Sequence, residues 1–278
     1  MVVERTFFLP DNHSVNHREY LILKIAFIRD ISENMKLLAK MNIKTLTRGQ
    51  QRFSSSMFGS QFVAEKKEAR SDGMKLILHL NISHSDQSLV STGARTFLAN
   101  IKFPHSVTEM NLWKDENNVK YSLQHSQAKM NILQGAGTAT DTALFNPISR
   151  AANYINTVDI VLISCPMWNY SVPYPLKQFI DTIVQPGINF CDENQTSISH
   201  LQGRHLVIFS SAGATYNQTS HVQDFLNPYL SQVFRLLGFD RQEIIFIEGT
   251  SSRSRKDLCQ FTEERALQAA DTINSHYL

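Results

Sequence analysis

The chain has little of what the simplest functional readings require. Among 278 residues stand three cysteines, Cys165, Cys191 and Cys259, far apart and with no Cys-x-x-Cys pair. So sparse and odd a set argues against a disulfide framework or a zinc ribbon and points to a reducing, cytoplasmic setting. Ten histidines are scattered without His-x-x-x-His spacing, so no metal site is legible. Charge of one sign is lacking too: 27 Lys/Arg against 25 Asp/Glu leave +2, which removes the electrostatic case for a nucleic-acid partner. No apolar run reaches the roughly 18 residues needed to cross a bilayer, so no membrane association is expected. The nearest run, 20–28, is short and holds Lys24. The absence of a glycine-rich Walker loop argues against a nucleoside triphosphate cradle. What is there is globular, with 42% hydrophobic and 19% charged residues.

The chain divides near residue 73. Residues 1–73 carry 12 Lys/Arg against 8 Asp/Glu, hold a Gln/Arg/Ser-rich stretch over 47–56, and show one amphipathic helix pattern over 19–41. They end in Ser71-Asp72-Gly73, a turn signature. This segment reads as an extension without catalytic role. Translation starting at Met74 is one alternative. A targeting segment is another, although Glu4, Asp11, Glu19, Asp30 and Glu33 are unfavourable in a presequence. From Met74 the pattern alternates. Strands are expected at 75–80, 106–112, 158–164, 204–210 and 244–248. Helices are expected at 88–101, 121–133, 147–157, 175–184, 222–237 and 257–275. Helices between short β-branched runs indicate parallel strands. Five of them predict an α/β doubly wound sheet of flavodoxin-like order 2-1-3-4-5 over residues 74–278, whose ligand sits at the carboxyl ends of the strands.

Three loops reach that edge. After the first strand, Ser83, Ser85, Ser88 and Ser91 lie where a helix begins, and hydroxyls with free N–H groups there suit a phosphate. Simple N-capping by Ser85 or Ser88 is the plainer alternative. After the third strand comes Pro166-Met167-Trp168-Asn169-Tyr170-Ser171-Val172-Pro173, stiffened by its prolines. It is a seat for a flat ring, against the alternative of a core tryptophan. After the fourth, Ser210-Ser211-Ala212-Gly213 lets backbone approach a ligand closely, though alone it would be a plain turn.

Together these segments resemble the FMN-dependent NADH:quinone oxidoreductase/azoreductase family, from Met74 to the C-terminus. The loop 166–173, the following Leu176-Lys177-Gln178-Phe179-Ile180-Asp181 and Pro186-Gly187-Ile188-Asn189-Phe190 carry most of the likeness. Ala128-Lys129-Met130 and Thr140 are similar to the helical insertion of the family's tryptophan-bearing branch. The resemblance implies that Ser83 and Ser88, Leu89, Val90 and Ser91 hold the FMN phosphate. It also implies that Met167, Trp168, Asn169 and Tyr170 lie along the isoalloxazine, with Ser210, Ser211, Ala212 and Gly213 on its pyrimidine side. Two departures stand out: Ser88 falls one place early, and Ala212 takes a place that is often glycine, where it would crowd the ring slightly.

If so, NADH or NADPH and then a quinone or azo acceptor use one face of the flavin in turn, a ping-pong scheme. Trp168, Phe190 and Tyr216 are the expected walls of that face, each with core packing as the alternative. No side-chain acid or base is demanded, so no catalytic residue is assigned. The family implies a homodimer, for which the insertion 113–146 is the candidate contact. Gly135-Ala136-Gly137-Thr138-Ala139-Thr140 mimics a dinucleotide fingerprint, but it follows no strand and reads as the turn ending a helix. The competing functions are a non-enzymatic electron carrier, disfavoured by near-neutral charge, and a cofactor-less interaction protein.

Overall fold

The protein's structure, a computed structural model, describes residues 73–114, 119–193, 196–216 and 223–278. The expected 19–41 helix, and all of the proposed extension but Gly73, lie outside the described residues.

Apolar runs that are buried on both faces make the central strands. β1 (Lys75–Asn81), β2 (His105–Asn111), β3 (Ile160–Pro166), β6 (His205–Ser211) and β7 (Arg241–Ile247) form one parallel sheet of order β2-β1-β3-β6-β7. This is the expected flavodoxin-like order, with a two-stranded antiparallel hairpin, β4 (Phe190–Glu193) and β5 (Thr196–Ser199), interposed in the chain. The helices are α1 (Leu89–Ala99), α2 (Leu123–Leu133), α3 (Ala139–Thr157), α4 (Tyr174–Ile183), α5 (Asn227–Leu236) and α6 (Arg255–Tyr277). One face of the sheet packs on α1 and α6 through Val90, Phe97, Ala266 and Ile273. The other packs on α3, α4 and α5 through Ile155, Phe179, Leu230 and Phe234.

Several boundaries depart from expectation, each for a local reason. The third strand was expected at 158–164 but begins at Ile160, because Val158 still caps α3. That shift carries Pro166 into the strand, paired with Ser211 of β6. The expected 147–157 helix begins eight residues earlier, at Ala139. A reciprocal cap between Thr138 and Asp141 starts it, and Pro147 sits inside. The sequence reading took Pro147 as a first-turn residue, which is its commoner place. The expected 222–237 helix begins at Asn227, where the Asp224 carboxylate accepts from the backbone of Leu226 and Asn227 and Pro228 occupies the first turn. Val222 lies outside the described residues. The fingerprint-like segment is the turn expected of it: Gly135 has φ 74 and Thr138 caps the next helix.

At the base of β6 the Arg204 guanidinium donates to the carbonyls of Ile155, Val158 and Leu237, tying the ends of α3 and α5 to the sheet. It also stacks on Phe239, 3.9 Å from the ring centre. Burial lowers its pKa to about 10, which leaves it charged at neutral pH.

α1 lies so close to the sheet that a Cβ on Gly93 would run into the Phe209 ring. An alanine would gain about 1 kcal/mol of helix propensity. Overpacking a fully buried ring costs about 1–3 kcal/mol. Gly93→Ala is therefore expected to lower the thermal midpoint by several degrees, read by differential scanning calorimetry.

Candidate functional site

The chain leaves β1 into a loop whose serines turn inward on one another. The Ser83 hydroxyl donates to the Ser85 carbonyl at 2.8 Å and lies 2.6 Å from Ser88 Oγ. Ser88 Oγ in turn lies 3.0 Å from Ser91 Oγ and accepts from Ser91 N at 3.2 Å, which makes Ser88 the N-cap of α1. Capping and convergence therefore coexist at Ser88. Ser85 caps nothing in α1; its carbonyl accepts from both Ser83 and Ser91 hydroxyls. Leu89 and Val90 bury their side chains and offer backbone only. As the first two residues of α1, their N–H groups have no partner among the described residues. Unpaired first-turn N–H groups with clustered hydroxyls favour an anion.

Arg255, unnoticed in the sequence, places Nη2 2.5 Å from the Gln87 carbonyl in this loop. It comes 168 residues later, so no local pattern points to it.

The second loop is a two-residue hairpin turn. Met167 N donates to the Ser211 carbonyl at 2.7 Å, and Trp168 and Ser171 exchange both backbone bonds at 3.0 Å. Asn169 and Tyr170 between them have φ of 48° and 68°. Two positive φ values at the centre of such a turn match the twist of a type I′ hairpin. The N–H groups of Asn169 and Tyr170 have no partner among the described residues. Trp168 is 44% exposed and so is not a core tryptophan. Its ring lies 5.2 Å from that of Trp113, which meets Tyr174 edge-on at 5.6 Å and donates from Nε1 to the Ile82 carbonyl at 2.8 Å. Trp113 was assigned to the insertion alone. Its signal is that it is one of two tryptophans in the chain and sits just past a strand.

The third loop is held by the chain after β7. Ala212 N donates to the Ile247 carbonyl, and the Ala212 and Gly213 carbonyls accept from Thr250 and Ser251 N. Ala212 is buried, so its methyl does not stand in the open rim as expected, while Gly213 is exposed. A Cβ on Gly213 would come 2.7 Å from Ser251 Oγ. Ser211 is half-buried at the junction with Met167.

Two further expectations shift. Ser210 is fully buried and its hydroxyl donates to Asn227 Oδ1 at 2.8 Å, so its side chain braces the start of α5. Phe190 opens the β4–β5 hairpin as a buried residue, its carbonyl accepting from Gly187 N. Tyr216 does join the rim: its hydroxyl donates to Met167 Sδ at 2.8 Å, and its ring lies 5.3 Å from that of Phe246. Burial pushes the Tyr216 phenol up, which keeps it a donor. Cys165, beside the turn, is fully buried, and burial drives its thiol far above the ordinary range, so it packs without reacting.

One anion-favouring loop, an aromatic wall with outward N–H groups and a small-residue turn are the parts that a phosphorylated, planar, polar-edged ring needs. The chain is also similar to known proteins. The sequence model of the family described as flavodoxin-like fold matches residues 75–270. FMN-dependent NADH:quinone oxidoreductase 1 of Bradyrhizobium diazoefficiens is 30% identical over 187 residues, covering 64% of this chain and 88% of that protein. The FMN-dependent NADH:quinone oxidoreductase of Desulfotalea psychrophila is 30% identical over 142 residues, covering 50% of this chain and 67% of its own. In fold, the chain is similar to the FMN-dependent NADH-azoreductase of Bacillus anthracis crystallised with FMN. The TM-score is 0.65 at 19% identity, over 72% of this chain and all of that one.

The turn makes a separate prediction. A β-branched side chain is the least tolerant of positive φ, and left-handed backbone costs an L-residue about 1–2 kcal/mol. Tyr170→Ile is expected to lower the denaturant midpoint, whereas Tyr170→Gly, free of that penalty, is expected to hold it.

Proposed function

Because the chain belongs to the flavodoxin-like family of FMN-dependent NADH:quinone oxidoreductases, we propose that it is an oxidoreductase that binds FMN and uses NADH or NADPH to reduce quinones and azo compounds. The observation that carries this reading is the meeting of the exposed Trp168 turn with the serine-lined start of α1 at one edge of the sheet. When bound, FMN supplies the redox chemistry, taking hydride from the nicotinamide and passing two electrons to the acceptor that follows it in the same place.

The protein's own part is to hold and shape. Ser83, Ser88 and Ser91 would give hydroxyls, and Leu89 and Val90 backbone N–H groups, to the phosphate. Met167 and Trp168 would pack along the ring, with the Asn169 and Tyr170 N–H groups available to its polar edge. At the other side Ser211, Ala212 and Gly213 would offer backbone. Ser210 contributes only through its place in β6, since its hydroxyl is committed to Asn227. Trp168 and Tyr216 are the aromatic walls that suit a flat acceptor by offset stacking. Phe190, the third expected wall, is buried in the β4–β5 hairpin.

The same reading includes a homodimer. Exposed Leu123 and Met130 on α2 support the insertion 113–146 as its contact. The reading also places the protein in the cytoplasm, as three cysteines outside any disulfide suggest. Residues 1–73 are assigned no part in the chemistry.

Purified protein should carry a flavin absorption band and oxidise NADH with menadione; turnover no greater than that of free FMN would end this reading. Loss of an aromatic stack costs about 0.5–1.5 kcal/mol. Trp168→Ala should therefore lower quinone turnover or flavin retention severalfold, and Trp113→Ala, which removes its support, should act in the same direction.

A further inference from the structure

Beneath the serine loop lies a chain of polar contacts that the proposed chemistry does not use. His79 on β1 is 4% exposed. Its Nε2 lies 2.9 Å from Ser164 Oγ of β3, and Ser164 Oγ lies 3.4 Å from the Val90 carbonyl in the first turn of α1. On the other side His79 Nδ1 lies 3.4 Å from Glu109 Oε2 of β2. Nδ1 is buried and makes no hydrogen bond among the described residues, facing the carboxylate at that distance only. The second carboxylate oxygen, Oε1, accepts from Asn81 Nδ2 at 2.8 Å, and Asn81 Oδ1 accepts from Ser83 N at 3.0 Å.

Hydroxyl, imidazole and carboxylate in this order have the composition of a hydrolytic triad. They are not one. Ser164 is completely buried within β3, where no substrate carbonyl reaches it, and the half-exposed end of the row is the carboxylate. Burial also lowers the His79 pKa, the effect of desolvation exceeding the pull of Glu109. The row has no exit for chemistry, but it has two ends in the loop. One arm runs from Glu109 through Asn81 to Ser83, where the loop begins. The other runs from Glu109 through His79 and Ser164 to Val90, where it ends.

We propose that Glu109 is a positioning residue for cofactor phosphate, a carboxylate that grips the start of the serine loop through Asn81 and Ser83 and stands beside the His79–Ser164–Val90 contacts at its end. This rests on the FMN reading given above. Buried polar contacts with a charged member are strong and costly to leave half-made. Removing the carboxylate frees Asn81 Nδ2, so the start of the loop at Ser83 loses its anchor.

The test compares FMN with riboflavin, which has the same ring and no phosphate. Affinities are read by flavin fluorescence on full-length protein stripped of flavin, in the wild type and in Glu109→Ala, Glu109→Gln and Ser164→Ala. In Glu109→Ala, FMN affinity is expected to fall about tenfold, the size of a lost charged hydrogen bond, with riboflavin changed less than about twofold. Glu109→Gln keeps an acceptor for Asn81 and should recover part of the loss. Ser164→Ala cuts one arm and should show the same phosphate-selective pattern at smaller size. FMN affinity unchanged in Glu109→Ala, or both flavins weakened alike, overturns the proposal while leaving the FMN reading intact. A wild type that binds neither flavin overturns both.

Discussion

The pairing of β3 with β1 on one side and β6 on the other is the constraint from which the rest of the site follows. Asn81 stands opposite Ser164, and Pro166 opposite Ser211. Because the strands are parallel, each crossover must return along a face of the sheet, so the chain emerges from β1, β3 and β6 at the same edge. A one-residue slip in either register would turn His79, Ser164 and Ser210 toward the opposite helical layer, since side chains alternate along a strand. The polar row, the serine loop and the Trp168 turn are brought together by backbone ladders rather than by contacts between the loops themselves.

This explains which features were visible in the sequence. The core strands read clearly because parallel strands buried on both faces are nearly continuous apolar runs, as in Ile160–Ile163 and Leu206–Phe209. The proline-rimmed loop read clearly because its unusual residues are adjacent in the chain. Partners that meet only in space did not. Trp113 supports Trp168 from 55 positions upstream, Arg255 reaches Gln87 across 168, and Glu109 meets His79 from the neighbouring strand. Boundaries failed where one residue type has two habits. Pro147 was read as a helix start and sits inside α3. Phe190 lies buried in a hairpin too short to show a periodic pattern.

The serine loop shows why spacing was a poor guide to the phosphate end. Ser88 stands one place from its position in the family pattern, yet its hydroxyl touches those of both Ser83 and Ser91. It manages this by being the N-cap, where extended backbone (φ −68°, ψ 154°) turns the side chain back over the first turn of the helix. The cap and the anion site use the same physics, orphaned N–H groups at the positive end of the helix dipole. Each hydroxyl has a single proton, so a phosphate entering this cluster would redirect bonds already made, whereas the N–H groups of Leu89 and Val90 have no partner among the described residues.

The Trp168 turn carries the opposite balance. Two adjacent non-glycine residues at positive φ cost backbone energy that Asn and Gly together would avoid. Asn169 tolerates that conformation readily, but Tyr170 does not, and its ring is 53% exposed and so recovers little by burial. Its carbonyl accepts from Phe225 N, which anchors the segment leading to α5. A simpler turn residue would have served folding better. The turn leaves two N–H groups without a partner among the described residues and holds Trp168 against Trp113, and strain kept at such a place is characteristic of sites rather than of connections. Stability surrendered in the turn is recovered in the strands on either side of it, where Ile163 and Phe209 are fully buried.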